Sequence, residues 1–191
     1  MIREPAWHAF GGLDAQLFLV INHAGHGWLW DRLALLGTTL GNHAAYPFYA
    51  AAALALALRS PAWLKTGAVL NFLVGYLIEW GVVGSLKLWL NAPRPLAVLG
   101  AQQVHVLGAP EYWHSFPSGH ASFVWLLLAA LWGGAGGVLR ALLVLLALWV
   151  SWARIAVGAH FPVDVIGGAL CGVFAAWLAA RALTLLGMRR G

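Results

Sequence analysis

Residues 117–132 read Pro117-Ser-Gly-His120-Ala-Ser-Phe-Val-Trp-Leu-Leu-Leu-Ala-Ala-Leu-Trp132. A short polar start runs straight into an apolar segment, Ala121 to Trp132, that carries no charge. Ser118 is a favoured N-cap type, and the first N–H groups of a helix have no partner within it. With the positive end of the helix dipole they form a seat for a phosphate-like anion. His120 stands in the first turn beside that seat, and imidazole trades a proton near neutral pH. Taken alone, the pattern reads equally well as a capped helix start with an incidental histidine. The flanking sequence decides between the two.

The apolar character extends over the whole chain. Of 191 residues, 62% are apolar and 9% are charged, against roughly a quarter charged in soluble domains. The length suits one domain. The class that follows is all-α: a polytopic transmembrane helical bundle of about six helices. Twelve Trp fit anchoring at the membrane interface. The net charge of +5 is spread as single cations between apolar runs, with no basic stripe, so nucleic acid is not an expected partner. Cys171 is the single cysteine, which rules out an intrachain disulfide and leaves a small packing residue. Met1 to Trp7 contains Arg3, Glu4 and Pro5 with no clean apolar core behind it, so no cleavable signal peptide is expected.

Five spans are expected, at about 44–58, 63–88, 119–133, 138–157 and 162–186. Breaks fall at Arg59-Ser60-Pro61, at the glycines of 133–137 and between Gly158 and Pro162. The third span is short for a bilayer crossing of about 20 residues; it either borrows the glycines or starts in a recess. Residues 1–12 read as an interfacial lead-in. Residues 8–41 read as one irregular crossing or as interfacial helices, with His23, His26 and His43 as polar residues at the interface. The loop 91–116, carrying Pro93, Pro95 and Pro110, is expected on the membrane surface.

Counting crossings puts residues 88–118 and 158–162 on one face. Arg59, Lys65, Arg140, Arg181, Arg189 and Arg190 fall on the other, which the positive-inside rule makes cytoplasmic. The first face is then extracytoplasmic. It collects Lys87, Arg94 and Pro95; Ser115, Ser118, Gly119 and His120; and Arg154, His160 and Asp164. A charge within the bilayer costs about 2.5–3.5 kcal/mol or more. Snorkelling at the interface accounts for one such cation but poorly for three that share a face with two histidines and an acid. With Pro162 opening a helix, Asp164 reaches back to His160, fixes its tautomer and leaves the other ring nitrogen free to attack.

Lys87-x6-Arg94-Pro95, Pro117-Ser-Gly-His120 and Arg154-x5-His160-x3-Asp164, in this order, resemble the three signature motifs of the type 2 phosphatidic acid phosphatase superfamily. Ala153 stands where the third motif usually has Ser. The resemblance implies a lipid phosphatase in which His160 is the nucleophile, Asp164 its orienting partner and His120 the general acid and base. Lys87, Arg94 and Arg154, with the N–H groups near Ser118 and Gly119, would neutralise the phosphoryl oxygens. No metal and no cofactor are expected, because Asp164 is the only acid in the motifs. The expected partners are a phosphorylated lipid (polyprenyl diphosphate, phosphatidylglycerophosphate or phosphatidic acid) and membrane lipids. Residues 1–191 are expected to form one phosphatase domain in the plasma membrane, with 43–191 as its catalytic core. A lipid phosphotransferase using the same site, or a non-catalytic lipid transporter, are the rival functions.

Six further residues stand outside the motifs. Glu79 lies mid-span, two turns from Lys87, as a candidate partner for a polar group on a neighbouring helix or part of a proton path. His105, His114 and Glu111 are candidate headgroup contacts or plain surface polar residues. Trp113 and Phe116 are candidate walls for a lipid tail.

Overall fold

The apolar run after Ser118 forms a 14-residue helix, Gly119–Trp132, and ten of its residues are buried. A helix apolar on every side belongs at the centre of a bundle, and the other elements wrap this one. The computed structural model describes residues 12–25 and 27–188. Residues 1–11 of the expected lead-in, His26 and the cations Arg189 and Arg190 lie outside the described residues.

In chain order the helices are α1 (Leu13–His23), α2 (Trp28–Leu40), α3 (Tyr46–Arg59), α4 (Thr66–Leu90), α5 (Pro95–Leu99), α6 (Gly119–Trp132), α7 (Gly137–Ala156) and α8 (Pro162–Leu185), with a 3-10 turn at His43–Ala45. The class is all-α. The five expected spans correspond to α3, α4, α6, α7 and α8. The N-terminal third differs from a single irregular crossing: it is two separate helices, broken where Gly25 and Gly27 take positive φ. Among the described residues three helices, α4, α7 and α8, are long and apolar enough to cross a bilayer. Their outward stripes, such as Leu77, Trp80 and Leu88 on α4 or Ile166, Leu170 and Trp177 on α8, are exposed apolar surface, as lipid-facing helices require.

The short α6 is explained by its neighbours. At 1.5 Å per residue it is about 21 Å long, less than a hydrocarbon core of about 30 Å. The glycines after it do not extend it. They turn, and Gly134 and Gly136 pair with the backbone of Lys65 and Trp63. The helix therefore starts in a recess at its other end, beneath the 91–118 loop. Its closest partner is α8, along a stripe of small residues. A Cβ at Gly168 would strike the carbonyl of Ser118, and one at Gly172 would strike that of Ser122. Absent side chains there let the two backbones touch, as small-residue interfaces do in membranes.

The 91–118 loop folds back on itself and onto the bundle end. Arg94 N–H donates to Tyr112 O at 2.8 Å and Ser115 N–H to Ala92 O at 2.9 Å, which closes the loop on itself. Leu107 N–H bonds Val157 O. The buried Asn22 of α1 stitches the loop to α7: its amide donates to His105 O at 2.8 Å and Ala156 O at 2.9 Å and accepts from His105 N–H at 2.9 Å. Asp14 of α1 accepts from Val163 N–H at 3.0 Å, satisfying a donor in the first turn of α8.

Candidate active site

Each motif residue sits at a helix end, where an apolar span delivers a polar group to the same rim. Lys87 is in the last turn of α4 and donates from Nζ to His114 O at 2.6 Å. Asn91 ends α4 in the left-handed conformation and turns the chain so that Arg94 enters from the side. Arg94 is 7% exposed; its Nε donates to Trp113 O at 2.9 Å and its Nη1 to Ala159 O at 3.1 Å. Glu111 pairs with the same Nη1 at 2.5 Å. Arg154, in the last turn of α7, donates from Nη1 to Thr38 Oγ1 at 3.1 Å, while its buried Nε has no hydrogen-bond partner.

His160 lies between α7 and α8 and is 1% exposed. Its Nε2 is 3.5 Å from Arg94 Nη1, and its Nδ1 is 3.5 Å from both Asp164 Oδ2 and Ser115 Oγ. Ser115 Oγ donates to Asp164 Oδ2 at 2.5 Å and Phe161 N–H donates to the same oxygen at 2.9 Å. The carboxylate is thus fixed from two sides behind the ring. Burial, then the charges of Arg94, Arg154, Lys87 and His120, hold the His160 pKa well below the ordinary imidazole value. The ring is neutral at neutral pH and keeps a lone pair.

These side chains line one cavity of about 370 Å³, which Lys87, Arg94, Gly119, His120, Arg154 and His160 share with His43 and Glu111. The two histidines that sequence placed in separate motifs face the same space. Ser118 does not. It holds the N-cap position, but its hydroxyl makes no cap bond, its side chain is buried, and its N–H donates to Asp164 O at 2.9 Å. Gly119 is the residue of the pair that lines the cavity. Among the described residues no group of three or more His, Cys, Asp or Glu is set to hold a metal ion.

A model of the PAP2 superfamily matches residues 68–187, the stretch that carries all three clusters. The chain belongs to the PAP2 superfamily. Two solved structures share the fold. Aquifex aeolicus LpxE superposes with a TM-score of 0.75 at 30% identity, over 88% of this chain and 95% of that one. A transmembrane PAP2-type phosphatidylglycerolphosphate phosphatase from Bacillus subtilis gives a TM-score of 0.74 at 20% identity, over 97% of this chain and 91% of that one, a likeness of fold. YbjG of Escherichia coli (strain K12), named as a candidate undecaprenyl-diphosphatase, is 35% identical over 65 residues. That match spans only 31% of this chain and 30% of the relative. The PAP2 chain described here is an integral membrane protein of a lipid phosphatase family.

Within this PAP2 site several residues outside the motifs take positions that differ from the sequence expectation. His43 lines the cavity, and its Nε2 lies 3.3–3.4 Å from the carboxylate of Glu79. Glu79, wholly buried in α4, does meet a neighbouring polar group, and that group is His43. His114 reaches back to the end of α4, its Nδ1 lying 3.0 Å from Lys87 O. His105 is tied by its backbone to Asn22 and lies 3.8 Å from Asp31. Trp113 and Phe116 are not among the cavity walls; Trp80, Val83 and Gly84 of α4 are. Phe116 instead packs against Gly167 of α8. Ser115 stands in the second cluster with no role readable from sequence, and Thr38 stands outside all three, because a lone hydroxyl carries no sequence signal.

Proposed function

We propose that the chain hydrolyses a phosphorylated lipid through a phosphohistidine on His160. The observation that carries this is the convergence of two imidazoles and three cations on one cavity at the ends of membrane helices. With Nδ1 turned to Asp164 and Ser115, Nε2 is the attacking nitrogen. Its lone pair forms the N–P bond as the ester P–O bond breaks, and His120 gives a proton to the departing lipid oxygen. His120 then takes a proton from water, whose oxygen attacks phosphorus and breaks the N–P bond. Lys87, Arg94 and Arg154 neutralise the oxygens in flight, which is most of the catalytic task in phosphoryl transfer. Glu111, half exposed on Arg94, yields its place to the incoming phosphate.

Polyprenyl diphosphate, phosphatidylglycerophosphate and phosphatidic acid are the candidate substrates. The names of YbjG and the Bacillus subtilis enzyme support the first two. The reading of one domain is supported by Thr38 and Asp14, which bond Arg154 and Val163. The test is phosphate release from this panel by the purified chain in detergent with EDTA present. His160→Ala should lower turnover by about a thousandfold or more with the thermal unfolding curve unchanged. Turnover at the parent rate in that variant, or its abolition by EDTA, would sink the mechanism.

A further inference from the structure

His43 is absent from all three motifs, yet its ring faces the phosphate cavity. Its orientation is fixed from behind. Glu79 is 0% exposed in the apolar body of α4, and an acid there costs several kcal/mol unless it is paired. A purely structural acid would be matched with a partner as buried as itself. The partner here is 29% exposed and opens onto the cavity. Phe123 and Tyr76 pack on the same ring, with centroids 5.3 and 5.9 Å away.

The location of His43 says which part of a substrate it meets. Glu79 precedes Lys87 by eight residues on one helix, about 12 Å nearer the membrane interior. Trp80, Val83 and Gly84 line the cavity between those levels. His43 also flanks the start of α6: a Cβ on Gly119 would lie 3.1 Å from its Cε1 and 3.8 Å from Lys87 Cε. Gly41, two residues earlier, packs against the His120 side chain. The ring therefore stands on the membrane side of the cavity, next to the residue that protonates the leaving group. In a lipid monophosphate the atoms beyond the leaving oxygen are carbon. In a lipid diphosphate they are a second phosphate. Nε2 faces the Glu79 carboxylate at 3.3–3.4 Å, which leaves Nδ1 as the ring nitrogen free to donate to a phosphate oxygen.

We propose that His43, held in place by Glu79, binds the second phosphate of a lipid diphosphate, the one that departs with the lipid. It thereby favours diphosphate over monophosphate headgroups. This rests on the phosphatase reading above. His43 touches the substrate, and Glu79 is a positioning residue that acts through it.

The test compares a prenyl diphosphate with the prenyl monophosphate of the same chain length, on the full chain in detergent. The wild type should show the higher kcat/KM on the diphosphate. His43→Ala and Glu79→Gln should each cut the diphosphate-to-monophosphate ratio at least fivefold, mainly through KM for the diphosphate, with His43→Gln retaining part of it. Independently of any variant, inorganic pyrophosphate should inhibit the wild type at least tenfold more tightly than inorganic phosphate. Equal inhibition by the two anions, or equal losses on both substrates in the variants, overturns the assignment while leaving the phosphatase intact. Absence of phosphate release from every lipid by the wild type overturns both.

Discussion

His160 illustrates how much of a residue's chemistry is set by atoms the motif does not contain. Its burial and its ring of cations keep it neutral, which suits a nucleophile. The cations proposed to hold the phosphate thus also keep a competing proton off the ring. Behind it, Asp164 is gripped by Ser115 at 2.5 Å and by Phe161 N–H at 2.9 Å. The His160–Asp164 separation of 3.5 Å is loose, so Ser115 is what holds the carboxylate at its station. Ser115→Ala should cost a charge-assisted hydrogen bond, about 1.5–3 kcal/mol, or roughly tenfold to a hundredfold in kcat. KM should stay within about twofold, because Ser115 lies behind the ring and away from the cavity. Steady-state kinetics on the preferred lipid measures this. An unchanged kcat would remove Ser115 from the mechanism.

At the scale of elements, the pairing of α6 with α8 sets the site. One helix brings His120, the other begins with Asp164, and Ser118 N–H bonds the Asp164 carbonyl where they cross. Gly172 permits that crossing two turns below. A Cβ there would lie 2.7 Å from Leu126 N and closer still to the Ser122 carbonyl. Backbone atoms have little room to move aside. Gly172→Val should therefore lower stability by about 1–3 kcal/mol, as overpacking does. It should also reduce turnover by prising α8 from α6. Gly81→Ala on α4, where a Cβ meets nothing within 4 Å, is the control expected to leave both unchanged. Thermal unfolding in detergent, read beside phosphate release, compares the two.

At the scale of the molecule, the bundle has two unlike ends. One holds the cavity. The other joins the 60–65 and 133–136 turns through Lys65–Gly134 and Trp63–Gly136 backbone bonds, and Arg140 donates to Trp132 O there. That end is the more basic in sequence, so the cavity is proposed to face away from the cytoplasm. With Cys171→Ser as background, Tyr112→Cys beside the cavity should react with a membrane-impermeant maleimide added to intact cells. Lys65→Cys, also exposed, should stay unlabelled until the membrane is opened. The reverse pattern would invert the orientation.

The class, the five main spans and the residues that carry charge into apolar surroundings were legible before any coordinates. A cation or acid at the end of a membrane helix is costly, so its presence is legible without coordinates. Lys87, Arg94, His120, Arg154, His160 and Asp164 were all found that way, and they do meet. What only the tertiary structure decided was the set of contacts between segments far apart in the chain: His43 on Glu79, Thr38 on Arg154, Ser115 on Asp164, Ser118 turned inward and the loop folded over the bundle end. These depend on how closely backbones approach, which small residues such as Gly168 and Gly172 allow. A glycine's absent side chain names no partner, and a single hydroxyl or imidazole has the same spacing signal whether it lines a cavity or faces lipid headgroups.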